Sequence, residues 1–157
     1  MKTVQIGNFK MKRKSGSKKS IITILFIIYI MCVLRITVFR SGISVHNLFS
    51  GRINMSLFQS YIPLIQEKNW FRIIYLFGGN IVWFIPLGMY LQWFKSKRSL
   101  WEIVVFGFLF SFFIETMQYI LSSGVSELDD LILNTIGAVA GALIIRVWNI
   151  LTIQKLN

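Results

Sequence analysis

The sequence predicts an all-α membrane protein: a bundle of four transmembrane helices, both termini cytoplasmic, with an interfacial segment on the extracytoplasmic side between the first two helices. Three observations predict it. The chain of 157 residues is 55% hydrophobic and 15% aromatic, with a mean hydropathy of +0.64. Four windows are long and apolar enough to cross a bilayer. The 17 Lys and Arg against 6 Asp and Glu give a net charge of +11, and most of that excess lies between or outside those windows on one side. A soluble nucleic-acid-binding domain of such charge would be rich in polar residues, so nucleic acid is excluded as a partner. One Cys and one His exclude a disulfide framework, a Cys/His zinc site and c-type haem attachment. No cofactor site is expected.

A bilayer core takes about 20 mostly apolar residues per helix. The windows 21–39, 73–94, 100–122 and 131–151 satisfy this and are apolar around most of their circumference, as helices between lipid and other helices must be. Residues 1–20 form a basic cytoplasmic tail, 21–151 the four-helix domain and 152–157 a second cytoplasmic tail. The first tail carries Lys2, Lys10, Lys12, Arg13, Lys14, Lys18 and Lys19 with little to bury, so a mobile tail is expected; of two roles, being held near anionic headgroups or only setting topology, the second is favoured. A basic stretch before an apolar run also resembles a signal peptide. No Ala-x-Ala-like site follows and Arg35 interrupts the run, so an uncleaved signal-anchor is expected.

The connection after the first span holds Arg40, Arg52 and Asn54. From Met55 to Ile65, apolar Met55, Phe58, Ile62 and Ile65 recur every three to four residues opposite Ser56, Gln59, Ser60 and Gln66, which predicts an interfacial helix limited by Pro63. In the second span Asn80 precedes Phe84, Pro86 and Gly88; the proline removes one backbone hydrogen bond and is expected to kink the helix. Lys95, Lys97 and Arg98 fill the next connection. The remaining connections balance Arg40, Arg52, Lys68 and Arg72 against Glu67, Glu127, Asp129 and Asp130, so the positive-inside rule places both termini in the cytoplasm.

Ionisable groups at membrane depth cost about 2.5 to 3.5 kcal/mol each and are expected to face the bundle interior. On the third span Ser111, Glu115, Gln118 and Ser122 follow at helical spacing in one polar stripe; on the fourth, Asp130, Asn134, Gly137 and Gly141 do the same. The Gly137 to Gly141 pattern of small residues is expected to let backbones approach and to bring Asn134 near Glu115. With the termini inside, Arg35, Asn80, Glu115 and Asn134 all fall in the outer half of the membrane. Glu102 and Arg146, near the cytoplasmic boundary, can snorkel.

Together Arg52-x-Asn54, Asn80-x-x-x-Phe84-x-Pro86-x-Gly88, Glu115-x-x-Gln118 and Asp130-x-x-x-Asn134-Thr135-x-Gly137-x-x-x-Gly141 resemble the VanZ-like family of integral membrane proteins, whose name-giving member is associated with teicoplanin resistance. The resemblance implies the bacterial cell envelope. The family often has Pro-Phe where this chain has Leu57-Phe58, so a different local turn is expected there.

Three functions compete. A pocket open to the outside, built from Arg35, Arg52, Asn54, Asn80, Glu115, Gln118, Asp130 and Asn134, would bind a membrane lipid, a lipid-linked envelope precursor or a glycopeptide; Phe84, Pro86, Gly88, Gly137 and Gly141 would be structural. A membrane enzyme would use Glu115 as general base and Asp130 as acid, or Glu127, Asp129 and Asp130 around a divalent cation. In the third, Glu115 pairs with Arg35 or Asn134 and the polar set only holds the bundle together. Binding ranks first, because intramembrane hydrogen bonds average only about 0.6 kcal/mol. His46 and Cys32 are expected to be without a chemical role.

Overall fold

A computed structural model describes residues 4–39 and 47–154, with side chains from residue 17 onward. Arg40, His46, Lys2 and Lys155 lie outside the described residues, as do the side chains of Lys10, Lys12, Arg13 and Lys14. The chain divides into two compact units, residues 1–32 and 33–157. The first is a continuous stretch of helix α1 (Val4–Thr37), in which Phe26 and Tyr29 pack ring on ring with centroids 5.6 Å apart. The helix starts well upstream of the apolar window, carrying the basic stretch as helix; its membrane-length part is Ser17–Thr37.

The second unit holds the last turn of α1, strand β1 (Arg52–Asn54), a 3-10 turn (Gln59–Tyr61), α2 (Ile62–Gln66), α3 (Trp70–Phe94), α4 (Leu100–Leu121), strand β2 (Val125–Glu127) and α5 (Leu128–Gln154). Four helices are long and apolar enough to cross a membrane, as expected. Local sequence sets their ends. Asn69 accepts from the Arg72 N–H at 3.2 Å to start α3. Ser99 and Glu102 form a reciprocal capping box at α4, with bonds of 3.1 and 3.2 Å, so Glu102 caps a helix and reaches Lys95 at 3.6 Å rather than only snorkelling.

Packing centres on α5, whose most extensive seam is with α3 and its second with α4. A Cβ on Gly137 would overlap the Ile81 carbonyl, one on Gly141 the Ile85 carbonyl, and one on Gly88 the Ala138 carbonyl. The small-residue pattern therefore seats α5 against α3, and not chiefly against α4 as the stripe geometry suggested. The α4 seam uses Gly107 beneath Ala138 instead. Pro86 sits inside α3, which runs unbroken past it. Phe84, Leu87, Ile103, Ile114, Leu133 and Ala138 form the core between the three helices. Large side chains such as Ile74, Val82, Trp101 and Trp148 are exposed on the outer faces, where a soluble protein would be polar.

Nothing in the sequence pattern points to the sheet. β1 and β2 pair in parallel, with Arg52 opposite Val125, Ile53 opposite Ser126 and Asn54 opposite Glu127. Gly51 admits this approach, since a Cβ there would overlap the Tyr119 backbone at the end of α4. The interfacial helix expected over Met55–Ile65 is reduced to the 3-10 turn and α2, with Pro63 in the first turn of α2. Pro63 is tolerated there because an N-terminal helix position has no intrahelical N–H bond to lose. Tyr61 and Leu64 are the buried side chains, while Met55, Phe58, Ile62 and Ile65 remain exposed as an apolar surface.

Candidate functional site

The two polar stripes meet, but through a different pair from the one expected. Asn134 Nδ2 donates to Ser111 Oγ at 2.8 Å, both buried, and Ser111 Oγ reaches the Asp130 carbonyl at 3.4 Å. Glu115 bonds neither Asn134 nor Arg35. Its Oε2 accepts the Glu127 backbone N–H at 2.9 Å, while Ser126 Oγ donates to the Glu115 carbonyl at 2.7 Å. The third span is thus tied to the incoming β2 strand, whose side-chain alternation sends Ser126 inward.

β2 then orders the first connection. Glu127 Oε1 accepts from Ser60 Oγ at 2.7 Å and from Asn54 Nδ2 at 3.3 Å, and Asn54 Nδ2 also reaches Ser60 at 3.0 Å. Asp129, with no exposed surface, takes the Phe58 N–H with both oxygens at 2.8 and 3.0 Å. Phe58 has φ 55°, a left-handed conformation that aims its N–H at this carboxylate. A hydrogen bond to a charged group contributes about 1.5–3 kcal/mol, enough to hold one unusual backbone conformation. This is the turn at which the chain reads Leu57-Phe58. Asp129 is a structural acceptor, with both oxygens turned on the Phe58 N–H. Among the described residues no group of three His, Cys, Asp or Glu side chains converges closely enough to hold a metal ion, so Glu127, Asp129 and Asp130 do not make one.

Beneath this connection lies a cavity of about 230 Å³. Asn80, Glu115, Gln118, Asp130 and Asn134 line it with Glu127. Asn80 Nδ2 donates to Asp130, and Gln118 Nε2 donates to the Thr37 carbonyl at 3.3 Å. The Gln118 Oε1 atom is shielded from solvent without a partner. Tyr61, Tyr75, Trp83 and Phe84 supply aromatic wall, Phe84 backed by Phe110 with ring centroids 5.7 Å apart. Burial first, then the carboxylates of Asp130, Asp129 and Glu127, push the Tyr61 phenol up to about 12, so it remains a neutral hydroxyl.

Five of the eight residues assigned to a pocket from sequence therefore share one cavity, and Asn54 stands one hydrogen bond behind it. Arg35 and Arg52 do not line it: both are exposed, and Arg35 donates to the Phe39 carbonyl. Of the residues the sequence left bland, Cys32 is exposed in α1. The residues that sequence reasoning missed are Ser60, Tyr61, Tyr75 and Trp83, the first two brought in by the 3-10 turn and the others by α3. A second, apolar groove of about 260 Å³ lies on the other side of Glu115 and Glu127, lined by Ile53, Met55, Phe112, Tyr119, Leu128 and Leu131.

No curated protein and no solved structure matches the chain. A family model described as VanZ/LLP1 matches residues 26–149, from within α1 to near the end of α5, and so takes in the cavity and both strands. By that match over most of its length, the chain belongs to the VanZ-like family.

Proposed function

We propose that this protein is a multi-pass protein of the bacterial cytoplasmic membrane, both termini cytoplasmic, that binds an amphiphilic or lipid-linked molecule in an outward-facing pocket and lowers the action of teicoplanin-type glycopeptides at the cell surface. The observation that carries the binding reading is the pair of recesses sharing Glu115 and Glu127, one combining carboxylates and amides with an aromatic wall and the other apolar. An amphiphile needs both kinds of surface, and ligand sites combine apolar walls with a few placed polar groups. The orientation rests on the basic residues Lys95, Lys97 and Arg98 at the opposite end. The link to glycopeptides rests on the family.

The test compares a deletion strain with one carrying Glu115→Gln, scored for teicoplanin susceptibility and envelope-lipid profile. A glutamine keeps an acceptor for the Glu127 N–H, so the variant should accumulate normally yet be as susceptible as the deletion. Unchanged resistance at normal protein level overturns the reading; failure to accumulate favours polar groups that only hold the bundle. For orientation, Gly124→Cys should react with an impermeant maleimide added to intact cells while Ser96→Cys should not.

Glu115 and Asp130 lining one cavity also favours a second reading, a membrane enzyme acting on a lipid headgroup or cell-wall precursor, with Glu115 as base and Asp130 as acid. It requires a chemically altered lipid or precursor on overexpression. An unchanged profile removes it.

A further inference from the structure

The cavity is unbalanced in hydrogen-bonding capacity. Its side-chain amides and the Ser60 hydroxyl donate within the protein, Asn80 to Asp130, Asn134 to Ser111 at 2.8 Å, Gln118 to the Thr37 carbonyl at 3.3 Å, and Ser60 to Glu127 at 2.7 Å, and the Tyr61 and Tyr75 hydroxyls add two donors at the wall. Its acceptors are in excess. Three carboxylates line it, and the Gln118 Oε1 atom is buried there without a partner. Among the described residues no Lys or Arg lines the cavity, and the one ion pair, between Lys95 and Glu102 at 3.6 Å, belongs to the Lys95–Arg98 connection. Buried carboxylates without a counter-charge are costly, and an unpaired buried acceptor costs its full desolvation. An occupant that brings positive charge and N–H or N–CH₃ groups offsets both.

Geometry narrows the class. The carboxylates are spread around the cavity and do not converge as metal ligands would, which suits a group larger than a bare ion. Tyr61, Tyr75 and Trp83 present aromatic rings, to which an ammonium group is attracted. Tyr75 and Trp83 are themselves exposed on the outer side of α3, so the cavity's rim is continuous with a surface made for lipid tails.

We propose that the ligand is a cationic amphiphile: an aliphatic chain carrying a protonated amine or quaternary ammonium headgroup, which Glu115, Glu127, Asp130 and Gln118 hold in the cavity while Trp83 and Tyr75 flank it. This rests on the amphiphile-binding reading and names the chemical class of its ligand. It assigns the cavity a charge preference that the polar stripes alone did not specify.

The test is equilibrium binding to the full chain in dodecyl maltoside, with octylamine, octyltrimethylammonium, octanol and octyl sulfate as probes and ethylamine as the amine without a tail. The two cations should bind at least about ten-fold more tightly than octanol or octyl sulfate, and Glu115→Gln or Asp130→Asn should each weaken them about ten-fold while leaving octanol unchanged. Trp83→Leu keeps every carboxylate and should weaken octyltrimethylammonium several-fold, so the proposal stays testable if a carboxylate variant fails to fold. Octanol binding as tightly as the cations, or cation binding indifferent to all three substitutions, overturns the charge preference and leaves the amphiphile reading standing. Binding of no probe overturns both. Ethylamine binding as tightly as octylamine supports the cation and overturns the lipid source.

Discussion

The two ends of the helical core use their polar groups in opposite ways. At the end where α3 passes into α4, Arg146 Nε donates to Gln92 Oε1 at 3.2 Å and Arg146 Nη2 to the Arg98 carbonyl at 2.6 Å. Gln92, 1% exposed, donates in turn to the Ser96 carbonyl at 2.6 Å, and Arg98 lies 4.9 Å from the Phe106 ring centre. Arg146 therefore clamps a connection rather than merely snorkelling. At the other end the carboxylates meet backbone N–H groups and neutral side chains, and they surround a void. The cationic end turns its donors on its own carbonyls and the Phe106 ring, leaving Arg98 Nε buried without a hydrogen bond; the anionic end leaves acceptors over and encloses a void. A polar group that exists to hold helices together tends to be fully paired, because an unpaired one costs more than the bond contributes. What marks the anionic end as a site is the cavity that its carboxylates and the unpaired Gln118 Oε1 surround.

The strongest way to break both ends at once is at the seam they share. Gly88→Val or Gly141→Val places a side chain where the partner helix already has backbone, so α3 and α5 must separate; a cost of about 3 kcal/mol or more is expected, seen as loss of a monodisperse peak and of a thermal transition. Asp129→Asn should cost about 2 kcal/mol and act at the anionic end alone, because an amide turns a donor toward the Phe58 N–H. Proteolytic cleavage around Phe58 should then rise sharply while the Arg146 end keeps its protection. Arg146→Met is the converse. It should lower stability by about 1–2 kcal/mol in a melt and leave ligand binding at the far cavity unchanged; loss of binding in a folded Arg146→Met protein would show that the ends are coupled. Lys95→Ala removes an exposed pair at 3.6 Å and should change the melt by less than about 0.5 kcal/mol.

The spans were legible because a run of apolar residues admits few other outcomes: 73–94 became Trp70–Phe94 and 131–151 became Leu128–Gln154. Helical spacing also revealed which polar residues share a face, and so gathered Asn80, Glu115, Gln118, Asp130 and Asn134. Spacing along one helix does not reveal its neighbour. Gly137 and Gly141 were recognisable as a contact surface, but that α3 would fill it depended on Gly88 and on the backbone at Ile81 and Ile85. Arg35 and Arg52 were assigned to the pocket by their charge and depth, whereas long basic side chains near helix ends can reach water instead. The β pair was invisible for another reason. Three residues on each side carry no periodicity, and their partners are far apart in the chain. Among Glu127, Asp129 and Asp130 nothing in the sequence singles out Asp129 as the anchor, since an acceptor for a backbone N–H leaves no pattern in the donor's sequence.

The parallel pair between β1 and β2 also imposes an order on biogenesis. Asn54 and Glu127 are 73 residues apart, so β1 is made well before its partner. At a synthesis rate of about 5–20 residues per second the delay is roughly 4 to 15 s, long compared with helix formation. During that interval α3 and α4 can be inserted as a hairpin, while the first connection has neither a ladder partner nor an acceptor for the Phe58 N–H. The turn is therefore anchored late, when translation passes Asp129, and the cavity is completed only as the start of α5 follows with Asp130 and Asn134.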